Sequence, residues 1–302
     1  TARFTSHDEK PLLPAFPWFE GDEHGWQPGE RGAGRALTAF LDAGLAIYAE
    51  ARDRPDLDGV SRLSPHLHFG EISPHRVREA VIGRAGDTEC EPARKFLSEL
   101  AWREFSAHLL YHWPELPEVN LQKKFDRFPW ADDDEARRAW QEGATGYPFV
   151  DAGMRQLWRT GYMHNRVRMV AASFLVKNLL QDWRHGAEFF WNSLLDADLA
   201  NNSASWQWVA GSGADAAPYF RVFNPVTQGR KFDPDGHYVR RYVPELGQLP
   251  ARYIHCPWEA PDHVLDQAGV RLGKDYPRPL VDLSESRTRA LDAYNSLVRR
   301  AS

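Results

Sequence analysis

The stretch Glu91–Leu116, EPARKFLSELAWREFSAHLLYHWPEL, decides the fold class. Apolar and aromatic residues recur along it at helical spacings, where a half-buried strand would alternate. No glycine interrupts the run, and Trp113-Pro114 stops it. The spacing predicts one long helix.

The same pattern continues on both sides. In GERGAGRALTAFLDAGLAIYAEARD (29–53), Leu37, Phe40, Leu41, Leu45 and Tyr48 fall at helical spacings, and DRPDLDG (53–59) stops the helix. Ser73-Pro74 caps HRVREAVIGRAG (75–86). Residues 132–146 give a shorter helix with acids near its positive end. PFVDAGMRQLWRTG (148–161), HNRVRMVAASFLVKNLLQDWRHG (164–186) and AEFFWNSLLDADLANN (187–202) each read as one helix. FNPVTQGRKFDPDG (223–236) reads as a loop region. Strand signals are few, and there is no tandem repeat or phosphate-binding glycine motif. The expected fold is mainly α, with residues 1–28 a linker or connector remnant and residues 29–302 one helical domain.

Composition narrows the function classes. The 302 residues are 42% hydrophobic and 26% charged, as in ordinary globular proteins. No segment is apolar for the length a membrane helix requires, and no membrane association is expected. Two cysteines, Cys90 and Cys256, leave no thiolate metal cluster. The net charge of −5 predicts no overall attraction to nucleic acid, which leaves room for a local basic face. Twelve tryptophans exceed what packing alone explains.

Four clusters can carry chemistry. Glu99, Trp102 and Arg103 share one side of the long helix, as a surface ion pair or as an acid, ring and cation facing a ligand. Between Arg155 and Arg184 stand six Lys or Arg and one acid, Asp182, forming either a solvated face or a groove for phosphates. Ser61 and Ser64 in SRLSPHLHFGEIS read as a capped turn or a phosphate loop. DADLANNSASWQW (196–208) gathers acids, amides and indoles that suit the edges and face of a polar heterocycle; capping by Asp198 with core tryptophans is the other reading. His66 with His68, and His108 with His112, lack a third partner at ligand spacing, so no metal is expected.

These motifs resemble, in order, the flavin-binding helical domain of the photolyase/cryptochrome family, most like class I cyclobutane pyrimidine dimer photolyases. The match runs roughly from Gly29 to Trp258 and includes SRLSPHLHFGEISP, FLSELAWREF, GYPFVDAGMRQLWRTGYMHNRVRM, SFLVKNLLQDWRHG, DADLANNSASWQW and DAAPYFRVFNP. The resemblance implies a noncovalent FAD, fully reduced when active. It puts Tyr48, Arg52 and the loop Ser61, Arg62, Leu63, Ser64 on the phosphate and mouth side. Val60 stands where relatives often have Thr. Arg103, Asn165, Arg168, Asp196, Asp198 and Asn202 are expected around the rest of the cofactor, with Arg168 paired to Asp196 and Asn202 at flavin N5.

Trp206, Trp183 and Trp130 match an electron-hopping route from the surface. Glu99, Trp102, Asn165, Met169 and Trp208 match the lesion cavity, and Arg52, Arg166, Arg221 and Lys231 match contacts to DNA. The implied activity is light-driven splitting of pyrimidine dimers flipped out of DNA, by an electron from excited reduced FAD. A cryptochrome-like photoreceptor without repair activity is the alternative, and a flavin-storing relic a third reading. Relatives begin with an α/β domain that this chain lacks, so a fragment without antenna chromophore is expected. It is expected to be monomeric, cytoplasmic and associated with the nucleoid when bound to DNA.

Overall fold

The computed structural model describes residues 26–87, 90–216 and 220–299; the expected linker lies outside them up to residue 25. The described residues are helical, with no β-sheet and a single isolated bridge between Leu272 and Tyr276. An N-terminal layer comprises α1 (Glu30–Ala39), α2 (Tyr48–Ala51), α3 (Ser64–His68), α4 (Pro74–Ala85) and the long α5 (Glu91–His112). The main bundle follows as α6 (Asp134–Gln141), α7 (Pro148–Thr160), α8 (Asn165–Ser173), α9 (Trp183–Ser193) and α10 (Leu199–Ala210). Helices α11 (Pro225–Phe232), α12 (His237–Tyr242), α13 (Asp262–Ala268) and α14 (Leu283–Arg299) complete the fold.

Apolar burial explains the layering. Leu37, Phe40, Tyr48 and Phe96 close a first core among α1, α2 and α5, with the Phe40 and Phe96 rings 4.6 Å apart. A larger core holds Trp140, Phe149, Met154, Leu157 and Trp183 in the bundle. Helix α14 seals a third over Phe125 and Phe128. Helix α10 packs against both α5 and α9, so it ties the N-terminal layer to the bundle. Asp151, fully buried, accepts from Thr145 N (2.8 Å), Thr145 Oγ1 (2.6 Å), Gly146 N (3.1 Å) and Tyr276 OH (2.5 Å). It thereby staples the segment after α13 to the start of α7. Burial pushes its carboxyl up from the ordinary range.

Four expected segments differ. The helix expected over 29–53 is interrupted by a π turn at Phe40–Gly44 and a 3₁₀ turn at Leu45–Ile47. A Cβ on Gly44 would come within 2.6 Å of the Phe40 ring, so the wider turn and the glycine make room for that aromatic. Residues 164–186 are two helices. A π turn at Phe174–Asn178 ends the first, Leu180 takes a left-handed φ of 53°, and Asp182 caps α9 through Arg184 N at 3.0 Å. The 187–202 run breaks after Ser193, because Asp198 starts α10 by accepting from Asn201 N at 2.9 Å. The presumed loop at 223–236 contains α11; Asn224 accepts from Thr227 N at 3.0 Å, and Pro225 takes the first turn. In the last three cases a polar cap overrides the apolar rhythm.

Close approach of α9 to α10 depends on Gly186, where a Cβ would lie 2.1 Å from Trp206 Cη2. Overpacking costs about 1–3 kcal/mol, against about 1 kcal/mol gained in helix propensity. Gly186→Ala is therefore expected to lower unfolding free energy in urea titrations. A more stable variant would contradict this packing.

His164 starts α8, its Nδ1 accepting from Arg166 N at 3.2 Å, and burial holds its pKa down to about 4. The unfolded chain protonates this imidazole from about 6.5 downward, while the folded one stays neutral. The stability tied to His164 is therefore full above pH 7 and falls as pH drops toward 4, by about 2 kcal/mol at pH 5. His164→Asn keeps a capping side chain and is expected to lose about 2 kcal/mol less stability than the parent between pH 7 and pH 5. Equal losses would contradict the assignment.

Candidate functional site

A cavity of about 510 Å³ opens between the N-terminal layer and the bundle. Helix α5 supplies Glu99, Trp102, Arg103 and Phe105 along one face, as the three-and-four spacing requires. Helix α8 supplies Asn165, Arg168 and Met169, one turn apart. The turn before α10 adds Asp196 and Asp198, and α10 itself adds Asn202, Trp206 and Trp208. Trp102 is half exposed at the rim, whereas Trp206 is buried at 2% exposure.

Asp196 organises the polar wall. Its Oδ2 accepts from Arg168 Nη2 at 2.9 Å and from Ser64 Oγ at 2.6 Å. The expected pairing of Arg168 with Asp196 is thus present. Arg168 is further held by its Nε donating to Met163 O at 2.6 Å. The other oxygen, Asp196 Oδ1, is buried with no hydrogen-bond partner among the described residues. A buried carboxylate oxygen without a partner is costly, and Asp196 as a residue lines the cavity.

Asn202 is fixed as well. Its Nδ2 donates to Ala187 O at 2.9 Å, which leaves Oδ1 as the end available to the cavity. Asp198 lines the cavity and also caps α10, so both readings of that acid hold.

At the mouth, Arg52 Nη2 meets Glu99 Oε1 at 2.7 Å, and the guanidinium stands 5.5 Å from the Tyr48 ring centroid. Glu99 is therefore ion-paired across α2 and α5. Burial pushes the Tyr48 phenol up, and Tyr48 belongs to the first core instead of lining the cavity. Leu63 is likewise core. Of the loop at 61–64, Ser64 reaches the site through Asp196. Ser61 Oγ accepts a long 3.4 Å bond from Leu63 N, and Arg62 adopts a left-handed φ of 52° while pairing with Asp58 at 3.1 Å. Arg103 donates to Leu67 O at 3.4 Å.

The basic run between Arg155 and Arg184 is neither a free face nor a continuous groove. Arg155 meets Glu245 at 2.6 Å, Arg166 meets Asp53 at 2.8 Å, and Arg184 meets Asp182 at 2.9 Å. Lys177 is buried, its Nζ donating to Ala210 O at 2.8 Å, and desolvation pushes its amine far down. Among this run, Arg168 lines the cavity. Arg221 lines a separate hollow of about 130 Å³ that shares Trp208 with the cavity. Lys231 is exposed on α11, over the Phe232 ring.

The three tryptophans of the expected electron route sit in different surroundings. Trp206 lines the cavity, Trp183 is fully buried with Nε1 donating to Asn120 Oδ1 at 2.9 Å, and Trp130 is half-buried, 4.3 Å from the Phe128 ring. Phe105 and Phe190 are cavity residues that the sequence reading missed. The first stands three residues past Trp102 on the same face, a signal that was available. Phe190 packs on Trp206 at 5.0 Å, a tertiary contact with no local trace. Among the described residues, no group of three or more His, Cys, Asp or Glu is placed to hold a metal ion, and no helix is long and apolar enough to cross a membrane.

Comparison with known proteins supplies the family. The family described as the FAD binding domain of DNA photolyase matches residues 96–296. The deoxyribodipyrimidine photo-lyase of Agrobacterium fabrum is 55% identical over 284 residues, covering 94% of this chain and 59% of the relative. Cryptochrome-1 of Arabidopsis thaliana is 42% identical over 279 residues, covering 90% and 41%. The crystal structure of a bacterial class III photolyase from Agrobacterium tumefaciens superposes with a TM-score of 0.90 at 54% identity, covering 96% of this chain and 60% of that one. The chain thus spans between 41% and 60% of the length of these relatives. On the family match, the fold and the identity, this chain belongs to the FAD-binding helical domains of the DNA photolyase family.

Proposed function

We propose that this chain is the catalytic core of a photolyase that splits cyclobutane pyrimidine dimers in DNA, using near-UV or blue light and fully reduced FAD. The observation that carries the reading is the acceptor pair on the cavity wall. Asp196 Oδ1 is buried without a partner, and Asn202 is turned to offer Oδ1. Both fit a heterocycle that presents N–H groups at its edge, and an acceptor from Asn202 suits the reduced flavin, whose N5 carries a hydrogen. When bound, the flavin supplies light absorption and reversible one-electron donation.

The side chains then have separable roles. Asp196, Asp198, Arg168 and Arg103 hold the cofactor, with Ser64 and its loop on the phosphate side and Tyr48 and Leu63 packing behind them. Asn165 and Met169 form the floor for a flipped-out pyrimidine dimer, and Trp102 and Trp208 pack against it and exclude water. Glu99, released from Arg52, hydrogen-bonds the dimer and stabilises its radical anion. Arg52, Arg166, Arg221 and Lys231 meet backbone phosphates. Trp206, Trp183 and Trp130 relay electrons inward to restore the reduced cofactor; Trp206 lines the cavity, and Trp130 is partly exposed. A cryptochrome-like photoreceptor is the second reading, favoured by the 42% identity to a plant cryptochrome.

Illumination of the reduced protein with dimer-containing DNA is expected to restore thymine absorbance. No recovery with FAD bound and reduced would overturn the repair reading in favour of a photoreceptor. Glu99→Ala removes a hydrogen bond to the dimer and is expected to weaken binding of dimer-containing DNA, relative to undamaged DNA, by up to roughly tenfold in anisotropy titrations. Unchanged affinity would contradict its place against the lesion. Trp206→Phe is expected to slow light-driven reduction of oxidised FAD while chemically reduced variant still repairs. Loss of repair in that reduced variant would show that the two electron routes are not separate.

A further inference from the structure

The arginines assigned to DNA backbone are not equally available. Arg166 lies on α8 between the cavity residues Asn165 and Arg168. Its Nη2 donates to Asp53 Oδ1 at 2.8 Å and its Nε to the same oxygen at 3.3 Å. The guanidinium carbon stands 4.5 Å from the Phe232 ring centroid, so the plane is stacked as well as ion-paired. The side chains of Arg166 and Asp53 are 19% and 32% exposed, so solvent anions can reach the pair. Asp53 has no part in the cavity wall. Next to it in sequence, Arg52 is likewise occupied by a carboxylate, Glu99, at 2.7 Å.

An arginine whose Nε–H and Nη2–H donate to one carboxylate oxygen can donate to a phosphate oxygen by the same groups. Stacking on Phe232 keeps the guanidinium oriented when the carboxylate leaves. We propose that Asp53 is an internal stand-in for DNA phosphate: it occupies Arg166 until a backbone phosphate of bound DNA replaces it. This rests on the repair reading above and deepens it. The exchange trades one ion pair for another, so Arg166 adds orientation more than affinity. Affinity for lesion-free backbone is held down, and the pair re-forms as repaired DNA departs.

The test is a double-mutant cycle on the FAD-loaded protein, with an undamaged duplex and a duplex carrying one thymine dimer, titrated by anisotropy over a range of salt. Asp53→Asn is expected to tighten binding of the undamaged duplex by roughly threefold to tenfold, with a salt dependence steeper by about one unit in log–log slope. Asp53→Ser is expected to do the same, which covers an Asn that still holds Arg166. In an Arg166→Ala background, neither change is expected to have an effect. No tightening in either well-folded variant overturns the proposal. So does tightening that persists without Arg166, because it would report only the change in net charge. Failure of the parent protein to bind even dimer-containing DNA is a different outcome: it overturns the repair reading, and this inference with it.

Discussion

One carboxylate holds the site together. Asp196 receives Arg168 from α8 and Ser64 from the start of α3, and it sits in the turn that precedes α10. Three segments far apart in sequence therefore converge on one side chain. Burying either charge alone would cost several kcal/mol, so the pair and the hydroxyl are mutually required. Because two donors occupy Oδ2, Oδ1 is left over, buried and without a hydrogen-bond partner among the described residues. Occupancy of the cavity and integrity of its wall are thus linked through one residue.

The surrounding helices serve that convergence. Helix α5 is long enough to pack on the first core at Phe96 and still deliver Glu99 and Trp102 to the cavity. Helix α10 lies against both α5 and α9, and Gly186 lets its Trp206 approach so closely that ring and helix share one surface. At the mouth, the acids and arginines of α2, α5 and α8 neutralise each other in crossed pairs. The protein carries a net charge of −5, and these pairs leave the mouth with little free positive charge in the absence of a polyanion.

Much of this was legible in sequence where the signal is local. The long helix at 91–112 follows from spacing and from Pro114, and Ser73-Pro74 marks the next helix by its cap. The grouping of Glu99 with Trp102 and of Asn165 with Met169 follows from helical periodicity. The breaks at 179–182 and 194–198 were not legible in the apolar rhythm, which runs on through them; Asp182 and Asp198 end it by capping. Nor could spacing distinguish a basic groove from arginines committed to Asp53, Glu245 and Asp182, since those partners are distant or lie across a turn. The cofactor and lesion roles came from family resemblance, and the orientation of the Asn202 amide came from the fold alone.

In the proposed function, Asp196 Oδ1 accepts a hydrogen bond from bound FAD. Asp196→Asn tests it most directly, because the amide oxygen remains for Arg168 and Ser64 while an NH₂ group replaces the free acceptor. FAD affinity of the refolded apoprotein, read from flavin fluorescence, is expected to fall by roughly tenfold or more. Affinity equal to that of the parent, with the fold unchanged by circular dichroism, would contradict the account.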